Sequence, residues 1–207
     1  MKETTRAKHL SPTPAPGRLQ RVQDFVNTLD LRAERDHLRT PEALTLWLFQ
    51  RGLLSSITPL DETAWKNALE VREGLRAVLR AHGGQPLDEE TLERLNSALD
   101  DTHLCVRFGT DGTVWLESVE SGWKGALAHF VDVVFEEMGA GRWERLKACA
   151  NEECQRAFYD ATAGRDGKWC GADGCGRPSG ARTSPCRDSR ARRLRAHAAA
   201  RLESARE

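Results

Sequence analysis

Cys149-Ala-Asn-Glu-Glu-Cys154 and Cys170-Gly-Ala-Asp-Gly-Cys175 are two cysteine pairs, each enclosing four residues, with fifteen residues between them. Four thiolates in paired spacing suit one tetrahedral Zn²⁺. The segment Cys149–Glu207 has Phe158, Tyr159 and Trp169 as its only large aromatics. So few apolar side chains cannot bury enough surface to fold unaided. A structural zinc would contribute about 10–16 kcal/mol, more than any core these residues can build. Two disulfides or four unrelated buried thiols are the alternatives, and paired spacing beside a poor core favours the metal. With four sulfur ligands the site is closed to water, so the ion is structural rather than catalytic. Its net charge of −2 calls for donors. Lys147, Arg156, Lys168 and Arg177 lie within two residues of a ligand, and knuckle backbone N–H groups add to them. Gly171, Gly174 and Gly176 allow those turns positive φ. Cys186 is read as a spare fifth thiol rather than a redox switch.

The formal net charge of zero conceals a dipolar chain. Residues Met1–Gly141 carry 16 basic and 22 acidic side chains, and Arg142–Glu207 carry 15 and 9, giving −6 and +6. Gly176–Glu207 alone has nine Arg against three acids, which points to a polyanionic partner. Arg outnumbers Lys 25 to 6 throughout, so some of that richness is background. The first eighteen residues lack the apolar stretch of a secretory signal, and no later run is apolar enough to span a membrane. Paired metal-type cysteines also fit a reducing compartment, so a cytoplasmic location is expected.

Along the chain, Met1–Gly17 is polar and Pro-rich and is expected to be a disordered leader. Leu19, Val22, Phe25, Val26 and Leu29 have helical spacing. Thr40-Pro41 opens a helix to Arg51, and Thr58-Pro59 a longer one to His82. Asp88 caps Glu89–Leu99. Alternation at Leu104, Val106 and Phe108, then Val114 and Leu116, predicts a β-hairpin turning at Asp111-Gly112. Helical periodicity returns over Trp123–Met138. Past the cysteines, Pro185 opens a helix with Arg190, Arg193, His197 and Arg201 along one face.

Several of these stretches resemble known families. Arg145-Leu-Lys-Ala-Cys149, Phe158-Tyr-Asp160, Lys168-Trp-Cys170 and Cys175-Gly176 resemble the CGNR zinc finger. Asp24-Phe-Val-Asn-Thr28, Leu44-Thr-Leu-Trp-Leu48 and Gly52-Leu-Leu54 resemble the start of the ABATE domain, which usually precedes that finger. The resemblance implies a bacterial transcription regulator whose finger binds DNA and whose N-terminal domain senses a signal, in stress responses. Where the finger's signature reads Cys-Gly-Asn-Arg, this chain has Cys175-Gly176-Arg177-Pro178. The four ligands are untouched, while Pro178 removes a backbone donor.

The expected architecture is mainly α: a leader at 1–17, a helical sensor or interaction domain with one β-hairpin at 18–140, a small treble-type zinc finger at 141–186, and a basic helix at 187–207. Arg190, Arg192, Arg193, Arg195 and Arg201 are candidates for phosphate contacts, and Arg177, Arg182 and Arg187 for base edges. Asp24, Asn27 and Thr28, polar groups beside an apolar helix face, are a possible effector pocket, with satisfied capping or core groups as the plainer reading. No catalytic constellation is present in the sequence, so an enzyme is not expected. Duplex DNA is the expected partner. A protein–protein adaptor and an RNA-binding protein using the same basic face are the alternatives.

Overall fold

A 21-residue helix, Glu62–His82, is the spine against which the other described α-helices pack. The computed structural model describes residues 12–172 and Cys175. In chain order the elements are α1 (Leu19–Val26), a short hairpin β1 (Leu29–Asp30) and β2 (Arg35–Asp36), α2 (Pro41–Gln50), α3 (Glu62–His82) and α4 (Glu89–Leu99). They continue with β3 (Leu104–Phe108), β4 (Val114–Ser118), α5 (Gly122–Gly139), a 3-10 turn at Trp143–Arg145, β5 (Leu146–Ala148) and β6 (Ala157–Tyr159). The strands pair as three separate antiparallel hairpins.

The local chemistry explains most boundaries. Thr40 Oγ1 accepts from the Ala43 N–H with Pro41 at the first helical position, and Gly52 leaves α2 at φ +68°. Asp88 Oδ1 accepts from the Thr91 N–H at the start of α4. The spine starts at Asp61, not at Thr58-Pro59 as the sequence suggests. Asp61 Oδ1 accepts from the Ala64 N–H at 2.7 Å, while the Leu60 N–H is drawn to Thr45 Oγ1 on α2. That tie holds the preceding residues extended. α1 likewise stops at Val26 rather than Leu29, because Thr28 Oγ1 donates to the Phe25 carbonyl and the chain turns into β1. The β1–β2 hairpin had no sequence signal. Two-residue strands are too short to show alternation.

The core joins Leu19, Val22, Phe25 and Val26 of α1 to Leu44, Trp47 and Leu48 of α2, Leu75 and Leu79 of α3, and Leu127, Phe130 and Val133 of α5. Phe25 stacks on Phe130 with ring centroids 4.5 Å apart. Gly74 lets α4 approach closely: a Cβ there would lie 2.7 Å from Leu95 Cβ. This core continues through Trp143, Leu146, Ala148 and Ala157, so residues on both sides of the Gly139–Arg142 junction share one interior. The end of the expected leader is also engaged. Ala15 is buried, its N–H donates to Gln23 Oε1, and the Tyr159 N–H donates to the Thr13 carbonyl. Gln23, buried in α1, supplies the polar anchor that a Pro-rich composition does not reveal.

The predicted β3–β4 hairpin is present, with Val106 opposite Leu116 and Phe108 opposite Val114. Only Leu104 and Leu116 of its apolar face are half-buried, and Phe108 is 76% exposed. Residues 173, 174 and 176–186 of the expected treble-type finger, and all of the expected basic helix at 187–207, lie outside the described residues.

Candidate metal centre

β5 and β6 form the base of the cysteine site. Leu146 pairs with Tyr159, Lys147 with Phe158 and Ala148 with Ala157, which places Cys149 and Cys154 in the loop that closes the hairpin. The first knuckle closes on Asn151, whose carbonyl accepts from the N–H groups of Cys154 and Gln155 and whose Oδ1 accepts from Glu153 N–H. Gln155 then takes φ +48°, a left-handed conformation uncommon for a residue with a side chain. The second pair is brought over by the Ala150 N–H, which donates to the Lys168 carbonyl at 2.8 Å. Gly171 has φ +75°, the positive value expected of a knuckle glycine; Gly174 and Gly176 lie outside the described residues.

Cys149, Cys154, Cys170 and Cys175 are all buried, and their Sγ atoms lie within 4.8 Å of one another. Cys154 Sγ and Cys170 Sγ are 3.7 Å apart. A tetrahedron with Zn–S bonds of about 2.3 Å requires S···S edges of about 3.8 Å, whereas a disulfide requires about 2.05 Å. The four are free thiols, so the disulfide alternative fails on geometry. Backbone N–H groups of Asn151 and Cys170 face Cys149, that of Arg156 faces Cys154, and that of Ala172 faces Cys170. Each favours a thiolate. Four adjacent thiols nevertheless cannot all ionise without a cation. Hydrogen bonds shared with Cys149 push Cys154 well up and Cys170 to about 11, with Cys149 pushed down in compensation. A divalent cation resolves that conflict, which is what the donor set is built for.

The charged surroundings differ from the sequence expectation. Lys147 does not face the sulfurs. Its ammonium lies in the loop after β6, donating to Asp160 Oδ2 at 2.8 Å and to the carbonyls of Arg165 and Gly167. Alternation along β5 turns it away from the knuckles. Arg156 does stand near them, bonded to Asp30 of β1. Burial works against its charge, but the Asp30 carboxylate, with the sulfurs of Cys154 and Cys170, outweighs that and raises its pKa. Among the described residues, the side-chain donors seen to reach a ligand sulfur are Arg32 Nη1, 3.6 Å from Cys175 Sγ, and Asn151 Nδ2 at 3.9 Å. No local pattern marks Arg32, which is 143 residues from the cysteine it touches.

Asp160 ties the connecting loop together. Burial pushes its carboxyl up, but Lys147, the Thr162 hydroxyl and N–H, and the Gly167 N–H hold it well below the usual carboxylate range. Gly167 is required for that approach: a Cβ would lie 2.8 Å from the carboxyl carbon. A carboxylate depressed by folding contributes stability in full above its unfolded pKa of about 4, and loses it as pH falls further. Acid titration of the melting midpoint should therefore decline below about pH 4 less steeply in Asp160→Asn than in the parent. Parallel curves would show that this carboxylate is not linked to folding.

Of the expected pocket residues, Asp24 accepts from Gln20 Nε2. Thr28 Oγ1 binds the Phe25 carbonyl and accepts from Arg72. Asn27 pairs with Ala157 of β6, its Oδ1 accepting from the N–H at 2.8 Å and its Nδ2 donating to the carbonyl at 3.0 Å. The three groups are occupied by the protein itself. Asn27 binds the cysteine-bearing hairpin as a strand would. Arg177, Arg182, Arg187, Arg190, Arg192, Arg193, Arg195 and Arg201, with Cys186, lie outside the described residues.

No helix among the described residues is long and apolar enough to cross a membrane. No curated protein matches the chain. Residues 145–198 match the CGNR zinc finger, whose four cysteines here hold one structural zinc ion. Residues 19–150, more than half of the chain, match the ABATE family, described as a putative stress-induced transcription regulator. The chain therefore belongs to the ABATE family and carries its CGNR finger on the same hydrophobic core.

Proposed function

We propose that this protein is a cytoplasmic, non-enzymatic transcription regulator that binds duplex DNA through the residues after its zinc centre and responds to an effector through its N-terminal helices. The observation that carries the reading is the charge distribution. Nine Arg and three acids in Gly176–Glu207 follow directly on a closed metal site that has no open coordination position. In this reading Arg190, Arg192, Arg193, Arg195 and Arg201 bind phosphates, and Arg177, Arg182 and Arg187 reach base edges. Arg177-Pro178 replaces the family's Asn-Arg, so the bases selected differ from those of a finger with the full signature.

The test is binding of the zinc-loaded chain to random duplex DNA over a salt series. With five phosphate contacts, affinity should fall by about 10²–10³ between 50 and 200 mM salt. Truncation after Gly176 and removal of zinc should each abolish binding. Failure to bind at low salt would overturn the DNA reading. One feature favours a protein partner instead: Val106, Phe108 and Val114 are exposed together on the β3–β4 hairpin. In that case the chain is an adaptor, and duplex DNA does not compete with the partner.

A further inference from the structure

We infer that Arg32 is the charge partner of the zinc–thiolate centre, supplied by the N-terminal helical region, and that zinc occupancy is thereby linked to the packing of the β1–β2 hairpin. The inference concerns the metal centre alone and stands whether or not the chain binds DNA.

The geometry begins at Asp30. Its Oδ1 accepts from the N–H groups of Arg32 and Ala33, both at 3.1 Å, and so fixes the turn between β1 and β2. Its Oδ2 binds the Arg156 guanidinium, two residues beyond the ligand Cys154. One carboxylate thus holds the turn and docks it on the first knuckle. From that turn Arg32 Nη1 reaches Cys175 Sγ in the second knuckle at 3.6 Å. The hairpin therefore bridges both halves of the metal site. A zinc with four thiolates carries −2, and the finger's own Lys147 is committed to Asp160. Arg32 and Arg156 each place a positive charge beside that anion. Two further ties run in parallel. Asn27 pairs with Ala157, and Arg76 Nη1 donates to the Gln155 carbonyl. Zinc that orders Cys175 also orders the partner of Arg32, and by reciprocity a ligand that shifts β1–β2 alters zinc affinity by the same factor.

The test uses the full-length zinc-loaded protein and a chromophoric chelator. Arg32→Met should release zinc about tenfold faster than the parent, the range typical of groups that support metal ligands. Arg32→Lys, which keeps the charge, should recover part of the difference, and Arg39→Met, at an exposed neighbouring position, should show none. Equal release rates for Arg32→Met and the parent would overturn the proposal. Hydrogen exchange on the parent protein decides independently should the variant misfold. On metal removal amides of residues 29–36 should lose protection together with those of 149–172. Loss confined to 149–172 would overturn the linkage.

Discussion

Cys154→Ser is expected to abolish stoichiometric zinc binding and to lower the stability of the whole protein, not of the finger alone. Cys154 is completely buried, and its sulfur forms one 3.7 Å edge of the sulfur tetrahedron. A serine hydroxyl is a poor ligand at neutral pH and leaves the other three thiols in conflict over their protons. The zinc contribution at stake is about 10–16 kcal/mol, comparable to the net stability of an entire domain at about 5–15 kcal/mol. The loss spreads because β5 and β6 place Leu146, Ala148 and Ala157 in the core that also holds Leu19, Val22 and Leu79. Thermal melting followed by near-UV absorption of Trp47, Trp65 and Trp143, all buried, would report on that core directly. The expected result is a single transition lowered by well over 10 °C, together with less than one-tenth of the parent's zinc content. A variant that keeps its zinc, or loses it with an unchanged tryptophan transition, would show that the finger folds apart from the helices.

How far the sequence revealed this arrangement depended on the range of the interactions involved. The zinc ligands were legible because their spacing is local and chemically narrow. Helices α2, α4 and α5 were legible because Thr40, Asp88 and an apolar stripe each act within a few residues. Thr58-Pro59 misled for the same reason: it is a sound local start signal, overridden by Thr45, which captures the Leu60 N–H from fifteen residues away. Asp24, Asn27 and Thr28 were conspicuous as polar groups beside an apolar face. Their partners, above all Ala157 at 130 residues from Asn27, have no local trace. Lys147 was assigned to the metal by proximity in sequence, but strand alternation sends its side chain the other way. Periodicity marks a buried face but cannot say which distant backbone a buried polar group will satisfy.

Arg76 gives the sharpest consequence of that gap. It is 3% exposed, and its guanidinium donates to the carbonyls of Val26, Leu29 and Gln155 and to the Glu73 carboxylate. Those acceptors belong to the end of α1, the start of β1, the first knuckle and α3 itself, so one side chain ties four segments. Beside it Arg72, 2% exposed, makes a paired contact with Asp36 of β2, 2.7 and 3.1 Å from its two oxygens. Arg76→Met keeps the apolar stem but leaves carbonyls without donors and Glu73 with one fewer cation. Removing one partner of a buried ion pair costs about 3–5 kcal/mol, because the remaining polar groups stay desolvated. Glu73 is about one-third exposed in its side chain, which moves the expected loss toward the lower end of that range. Arg76→Lys should recover little, since an ammonium cannot span carbonyls on opposite sides of a planar fork. Urea unfolding of the zinc-loaded variants provides the measurement, with a shifted midpoint at constant slope as the expected form. A loss below about 1 kcal/mol for Arg76→Met, or full recovery by lysine, would mean that water takes over these carbonyls readily. The junction between helices and finger would then rest on Asn27, Asp30 and the shared apolar core.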